Sequence, residues 1–437
     1  MIIVFAILVL LISLVIGIPV PFSFFASSFF LVIFKGYDPG FLLPFGFSKM
    51  NSMTLLSIPL FIIAGSLMNK VEIADRIIDM VNIFIKNLKG GLGAVTVISC
   101  AIFGAISGSS SATLVSIGAI MAPKLQQKGY PPEIIASIIA SSGVLGILIP
   151  PSILMILYAS IGNQSVLACF LAAASPGIML MILLCLVQMF LIRNNPNIKE
   201  GKNYVTQFSN LKEGAKILGK NTIVAFPALL MPIIILGGIY GGIMTPTEAA
   251  AVSASYALVV GTWIYKNLNK RKLCDALIEA GTTSGVVMVM SFFVIVLSRI
   301  YIQENVPDKI LIFLLNISHN KGTLILIVNI FMIILGMLMD DVSSCLLATP
   351  LLLPIVVKLG VSPIHFAAIL GVNLGMGNIT PPTAPLLYLA ARIVHADVGK
   401  MLKPTFYMIL FAWIPTLLLT TYWPQFSLWL PNLLVGK

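Results

Sequence analysis

Apolar stretches of membrane-crossing length recur from one end of the chain to the other, and no other feature limits the possible folds so tightly. A helix needs roughly 20 residues to cross a hydrocarbon layer about 30 Å thick. Stretches of that kind run at 1–20, 21–36, 51–69, 132–161, 165–192, 223–243, 246–265, 277–302, 363–393 and 403–422. Of the 437 residues only 9% are charged and 59% are hydrophobic, whereas about a quarter of a soluble chain carries charge. Lipid offers the backbone no hydrogen-bond partners, so a spanning segment is a helix or a strand of a closed barrel. Barrel strands alternate apolar and polar residues over segments of about ten, and nothing here alternates for long. The sequence therefore predicts an all-α polytopic membrane protein.

Met1 to Val20 has no basic leader and no cleavage-like site, so it reads as a first span and not as a signal. Cys100, Cys169, Cys185, Cys274 and Cys345 show no CxxC spacing, which argues against a metal site or a disulfide framework. They are expected to be small buried hydrophobes. The net charge of +11 does not indicate nucleic acid, because the basic residues sit in short loops between apolar spans. With the N-terminus outside, nineteen Lys and Arg fall on the cytoplasmic side, among them Lys70, Arg76, Lys86, Lys89, Lys124, Lys128, Arg193 and Lys270 to Lys272. Seven fall outside: Lys35, Lys49, Arg299, Lys309, Lys321, Lys358 and Lys437. That asymmetry fixes the orientation and makes the polar loop 194–222 cytoplasmic.

Two apolar stretches, 90–123 and 323–357, are too long for one crossing and are interrupted by polar clusters, Ser107-Gly-Ser-Ser-Ser111 and Asp340-Asp-Val-Ser-Ser344. They are expected to be re-entrant hairpins. Each follows an amphipathic segment, 71–89 and 303–318, suited to lying in an interface. An offset of 231 places Pro123 on Pro354, Gly129 on Gly360, Pro132 on Pro363, Gly146 on Gly377 and Pro150-Pro151 on Pro381-Pro382 without a gap. An odd number of spans separates the copies, so the second copy is inverted, an arrangement common among secondary transporters.

Each copy also interrupts a span, at Gly143 to Ser152 and at Asn373 to Thr383. Adjacent prolines remove two amide donors and break the helix. The freed carbonyls are tolerated at membrane depth only against protein, water or ions. Carbonyls with hydroxyls suit a small hard cation such as Na⁺, and positive half-helix ends suit an anion; a proline kink that serves only packing is the plainer reading. The tip at Ser107 to Ser111 offers amides and hydroxyls to a carboxylate. Asp340 and Asp341 are intramembrane carboxylates and so functional candidates, though Asp341 also suits a helix N-cap. Thr245-Pro-Thr-Glu248 matches a capping box. His319, His365 and His395 have no companion with ligand or catalytic spacing, and no nucleotide-binding loop occurs.

The segments GVNLGMGNITPPTAPLLYLAARI, SGSSSATLVSIGAIMAPKLQQKGY, GILIPPS and GGIYGGIMTPTEAAAV together resemble the large membrane subunit of tripartite ATP-independent periplasmic (TRAP) transporters, over essentially the whole chain. The resemblance implies an elevator, in which two hairpins and two broken helices move against a scaffold under a sodium gradient. It also implies a periplasmic substrate-binding protein, a separate small four-span membrane subunit and residence in the bacterial inner membrane. The chain would then divide into scaffold spans (1–70), a first repeat (71–192), a cytoplasmic linker with further scaffold spans (193–276) and a second repeat with the terminal span (277–437). By the same resemblance, one sodium site would involve Ser107, Gly146, Ile149 and Pro151, and the other Gly336, Gly377, Thr380 and Thr383. A small organic anion, of the C4-dicarboxylate or sialic acid class, would bind at Ser109, Ser110, Ser111, Asp340, Asp341 and Ser344. Two further readings stay open, a stand-alone cation-coupled carrier and an intramembrane enzyme. Against the enzyme, the polar residues cluster at symmetric breaks without forming a nucleophile and base pair.

Overall fold

The computed structural model describes residues 2–85, 90–193, 195, 198 and 211–436. Lys86, Lys89, Lys437 and most of the 194–222 loop lie outside them. The described residues are helical with no strand, as an apolar chain that must satisfy its own backbone requires. Among the described residues six helices are long and apolar enough to cross a membrane alone, two of them in the second hairpin, so four of the ten stretches in the sequence appear as single spans. The shortfall arises where prolines split spans and where shorter apolar helices, such as Val20–Lys35, take their place.

Both hairpins form. The first pairs Gly91–Ser107 with Ser110–Gln127, and the second pairs Lys321–Leu338 with Asp341–Lys358. Both interrupted spans are broken helices. The first runs Pro132–Gly143, Leu145–Leu148 and Ile153–Gly162, with a bend of 43°. The second runs Pro363–Gly377 and Pro385–Val394. The amphipathic lead-ins are the helices Ile73–Ile85 and Val306–Ile317. Ser110–Gln127 and Asp341–Lys358 start and stop at the same offset of 231 that aligns the sequence. The glycines just past their ends also correspond, Gly129 at φ +85° and Gly360 at φ +74°. Both end their helix in the left-handed region, which an ordinary side chain resists.

The two copies interlock. Ile153–Gly162 of the first copy packs on Asp341–Lys358 of the second, while Pro385–Val394 packs on Ser110–Gln127. Within each copy the hairpin crosses its broken helix at a pair of glycines. A Cβ on Gly104 would lie 2.6 Å from the Gly146 Cα, and one on Gly377 would lie 2.7 Å from the Gly336 Cα. Only a bare backbone lets the chains approach so closely. Around this unit, Met53–Lys70 packs on Pro246–Val259 and Lys270–Gln303, and Ile2–Val15 packs on Val20–Lys35.

Two helices lie in stretches that the sequence reading assigned to no span: Pro39–Met50, capped by Asp38, and Pro424–Leu434 after the terminal span. The linker region also carries helix earlier than expected, since one helix runs Leu211–Tyr240. The capping box at Thr245 and Glu248 forms with both reciprocal bonds. The cap of the second hairpin helix is Asp340, whose carboxylate accepts from Val342 N at 3.2 Å and Ser343 N at 3.4 Å. Asp341 is thereby the first helical residue and not the cap. Cys100, Cys169 and Cys345 are buried, Cys185 is half-buried and Cys274 is exposed. Cys274 departs from expectation because it sits at the polar start of Lys270–Gln303.

Candidate functional site

The two hairpin tips meet. Ser109 caps Ser110–Gln127, and its side chain accepts from Ala112 N at 3.5 Å. The next residue, Ser110, is buried and its hydroxyl donates to Asp341 Oδ2 at 2.5 Å. The other carboxylate oxygen of Asp341 accepts from Val342 N at 3.2 Å. Ser111 is exposed, and its hydroxyl lies 3.2 Å from that of Ser109. Asp340 is exposed and accepts from the Ser343 hydroxyl.

A cavity of about 540 Å³ opens on these tips. Ser109, Ser110, Ser111, Asp340 and Asp341 all line it, together with Ser343, Asn378, Thr282 and Thr283. Ile62, Val286 and Val287 form an apolar wall from the surrounding helices. Ser344 is not part of this cavity. Its hydroxyl donates to Leu335 O at 3.1 Å and Met339 O at 3.5 Å, which ties the second tip together. Thr282, Thr283 and Asn378 were missed in the sequence because nothing in their spacing links them to the tips. Only the fold brings the three segments together.

At the first break, Pro150 and Pro151 have no N–H, so the carbonyls of Gly146 and Ile147 lose their usual helical donors. The tip is laced to the break by Ile153 N, which donates to Gly108 O at 3.1 Å. A Cβ on Gly108 would lie 3.1 Å from Pro151 O. A Cβ on Gly146 would meet Ser109 O at 2.5 Å and Thr113 Oγ1 at 2.6 Å. The Thr113 hydroxyl donates to Ser109 O at 2.7 Å and lies 2.9 Å from Ser107 Oγ. Ser107, Gly146 and Pro151 are therefore gathered with Ser109 and Thr113, an oxygen-rich set with no nitrogen or sulfur ligand. Hard cations prefer such oxygens. Ile149 adopts an extended conformation at the end of Leu145–Leu148. Thr113 was missed, because it lies one helical turn from Ser109 on an otherwise ordinary apolar helix.

The second break is built alike but is more open. Gly336 and Gly377 touch backbone to backbone. Thr380 N donates to Gly377 O at 3.0 Å, and its hydroxyl donates to Met376 O at 2.6 Å. Leu386 N crosses the break to Asn378 O at 3.1 Å. Thr383 is exposed and stands apart from these bonds. The Pro150-Pro151 and Pro381-Pro382 peptides are both cis. No group of three or more His, Cys, Asp or Glu side chains with metal-site geometry occurs among the described residues.

Helical hairpins paired with broken helices around this cavity define a polytopic, all-helical membrane architecture. Two solved transporters share the fold: YdaH of Alcanivorax borkumensis (TM-score 0.59, 14% identity, 88% of each chain) and MtrF of Neisseria gonorrhoeae (TM-score 0.55, 13% identity, 89% of this chain and 84% of that one). The family described as the DctM component of the tripartite ATP-independent periplasmic transporter matches residues 6–426, and the chain belongs to that family. It is 32% identical to the sialic acid TRAP transporter large permease protein SiaM of Vibrio cholerae, over 96% of each chain. It is 33% identical to the C4-dicarboxylate TRAP transporter large permease protein DctM of Pseudomonas aeruginosa, over 88% of each chain. With the isethionate TRAP transporter permease protein DctMQ of Oleidesulfovibrio alaskensis it shares 32% identity over 94% of its own length and spans 63% of that longer relative. The chain is accordingly a multi-pass protein of the inner membrane.

Proposed function

We propose that this chain is the translocating subunit of a sodium-coupled carrier for a small organic acid anion of the C4-dicarboxylate or sialic acid class. The observation that carries the reading is the cavity where two hairpin tips, two broken helices and the surrounding helices converge. A substrate carboxylate fits against the Ser109 and Ser111 hydroxyls and the start of Ser110–Gln127, where helix amides and the dipole favour negative charge. Asp340 and Asp341 repel a second carboxylate but accept hydrogen bonds from hydroxyls. That arrangement favours a hydroxylated acid over a bare dicarboxylate. Sodium would be carried at two places. One comprises Ser107, Ser109, Thr113, Gly146, Ile149 and Pro151, and the other comprises Gly336, Gly377, Thr380 and Thr383. The chain's relatives of both substrate classes agree with this range of ligands.

Alternating access would come from the interlocked unit sliding as one body against the outer helices, an elevator movement. The interlock supports this, because neither copy's hairpin moves without dragging the other copy's broken helix. Substrate would arrive from a periplasmic binding protein, with a small four-span subunit as the chain's membrane partner.

The test is uptake into proteoliposomes holding this chain with a small subunit, with loaded binding proteins added and an inward Na⁺ gradient present or absent. Uptake that needs both sodium and a binding protein is expected. Thr380→Ala and Thr113→Val should each raise the sodium concentration needed for half-maximal uptake about tenfold or more, the effect of losing one oxygen ligand worth about 1.5–3 kcal/mol. Sodium-driven uptake without a binding protein would point to a stand-alone carrier instead. Uptake indifferent to sodium would overturn the coupling.

A further inference from the structure

A second cavity, of about 310 Å³, shares no lining residue with the one at the hairpin tips. Its walls come from Pro39–Met50, from the last turns of Lys270–Gln303 and from the end of the first broken helix. It lies on the face assigned as outer by the distribution of basic residues. Lys49 and Arg299 are its charged residues, Asn163 and Ser298 add polar groups, and Ile295 and Ile302 are among its apolar walls.

Among the described residues both cations lack a salt-bridge partner. Lys35 and Lys358 on the same face are paired with Glu304 and Asp308. The Arg299 guanidinium is held over aromatic rings, 5.1 Å from the Phe45 centroid and 5.7 Å from that of Phe41. Its Nε is buried with no hydrogen-bond partner among the described residues. A buried, charged donor without an acceptor is a costly arrangement. An anion in the cavity would bring the guanidinium a counter-charge. Arginine presents a planar fork that matches phosphate oxygens, and lysine adds a point charge beside it.

We propose that this cavity binds the phosphate of an anionic phospholipid, with Arg299 and Lys49 as its partners and Asn163 and Ser298 as supporting hydrogen-bonding groups. A lipid, more than a soluble phosphate, suits the surroundings. Phe41, which faces the Arg299 guanidinium, and the cavity wall residue Ile302 stand exposed, and they offer an apolar track along which acyl chains leave it. The volume holds a headgroup and glycerol, and the chains remain in the bilayer. The site is independent of the transport reading, since it stands on the unpaired cations and the cavity alone.

The test is native mass spectrometry of the purified chain titrated with phosphatidylglycerol, phosphatidylethanolamine or glycerol 3-phosphate. Phosphatidylglycerol should bind most tightly. Arg299→Gln and Lys49→Gln should each lower its affinity about fivefold, the effect of one basic residue near an anionic lipid. Arg299→Lys should recover part of the loss, and Lys270→Gln, on the opposite face, should change nothing. Lys49 is exposed, so its replacement leaves folding intact. Equal retention of phosphatidylglycerol by wild type and Lys49→Gln would overturn the proposal. So would equal affinity for phosphatidylethanolamine, or thermal stabilisation by glycerol 3-phosphate matching that by the lipid, which would mark a site for a soluble anion.

Discussion

Ser110 and Asp341 occupy equivalent positions 231 residues apart, and each meets the other. Residues related by a two-fold operation touch only near its axis, so this bond marks where the two copies face one another. Serine and aspartate at equivalent places make the pair a hydroxyl donor and a carboxylate acceptor. Ser110→Ala removes the donor and leaves the buried carboxylate with its backbone contact alone. It should cost about 1–3 kcal/mol, seen as a lower unfolding midpoint in detergent, with Ser110→Thr close to wild type. An unchanged midpoint would mean that the hydroxyl does not hold the tips together. A different carboxylate sets the pH response at the outer face. Glu304 accepts from Tyr37 at 2.7 Å and from Lys35 at 3.0 Å, and those bonds, Tyr37 first, hold its pKa below the ordinary carboxylate value. The Tyr37 hydroxyl is pushed up to about 12, first by burial and then by the carboxylate it donates to. A depressed folded-state pKa contributes stability above the unfolded value and loses it as the pH falls through the folded one. Glu304→Gln should therefore lower the midpoint at pH 7 by no more than about 1 kcal/mol. The gap to wild type should close as the pH drops below the carboxylate range. A gap that persisted there would assign the effect to packing.

Glycines decide how the elements cross. At Gly377 a methyl group would press on Ile333 O at 2.6 Å and on the Gly336 Cα at 2.7 Å, both backbone atoms that cannot turn aside. Gly377→Ala should destabilise by about 1–3 kcal/mol or more, as overpacking does. Gly281→Ala, where nothing lies within 4 Å, should be neutral or slightly stabilising in its helix. Thermal unfolding of the two variants side by side checks the contrast, and equal loss from both would remove the crossing as its cause. These crossings were legible in the sequence as Gly146 on Gly377, because the repeat aligned them, but their partners Gly104 and Gly336 do not align at the same offset. The hairpins, broken helices and lead-ins were legible for a similar reason, since proline pairs and polar interruptions in apolar runs have few other uses. Pro39–Met50 was not, because Pro44, Ser48 and Lys49 dilute its apolar character, although Asp38 and Pro39 form an ordinary helix start. The cavity lining from Thr282 and Thr283 left no mark in the sequence, since the composition there is that of any membrane helix, whereas Asn378 lies in the break at Asn373 to Thr383 without standing out within it.

At the scale of the whole molecule, each lead-in helix pairs with the far end of its own hairpin. Asp79 of Ile73–Ile85 lies 3.8 Å from Lys124, and Asp308 of Val306–Ile317 pairs with Lys358. The basic-residue count assigns the first pair to the cytoplasmic face and the second to the outer face. Similar contacts on opposite faces are what an inverted repeat would produce. Gln127 and Lys358 give a direct check, because both are exposed, both end their hairpin helix and they stand 231 residues apart. In intact cells carrying Cys274→Ser, which removes the exposed native thiol, a membrane-impermeant maleimide should label Lys358→Cys and leave Gln127→Cys untouched until the membrane is opened. Cys100, Cys169 and Cys345 are buried and should stay silent in either case. Labelling of Gln127→Cys alone would reverse the orientation but keep the inversion. Labelling of both from outside would place the hairpin ends on one face, and the interlocked pair of copies would then have to move substrate by something other than an exchange of equivalent halves.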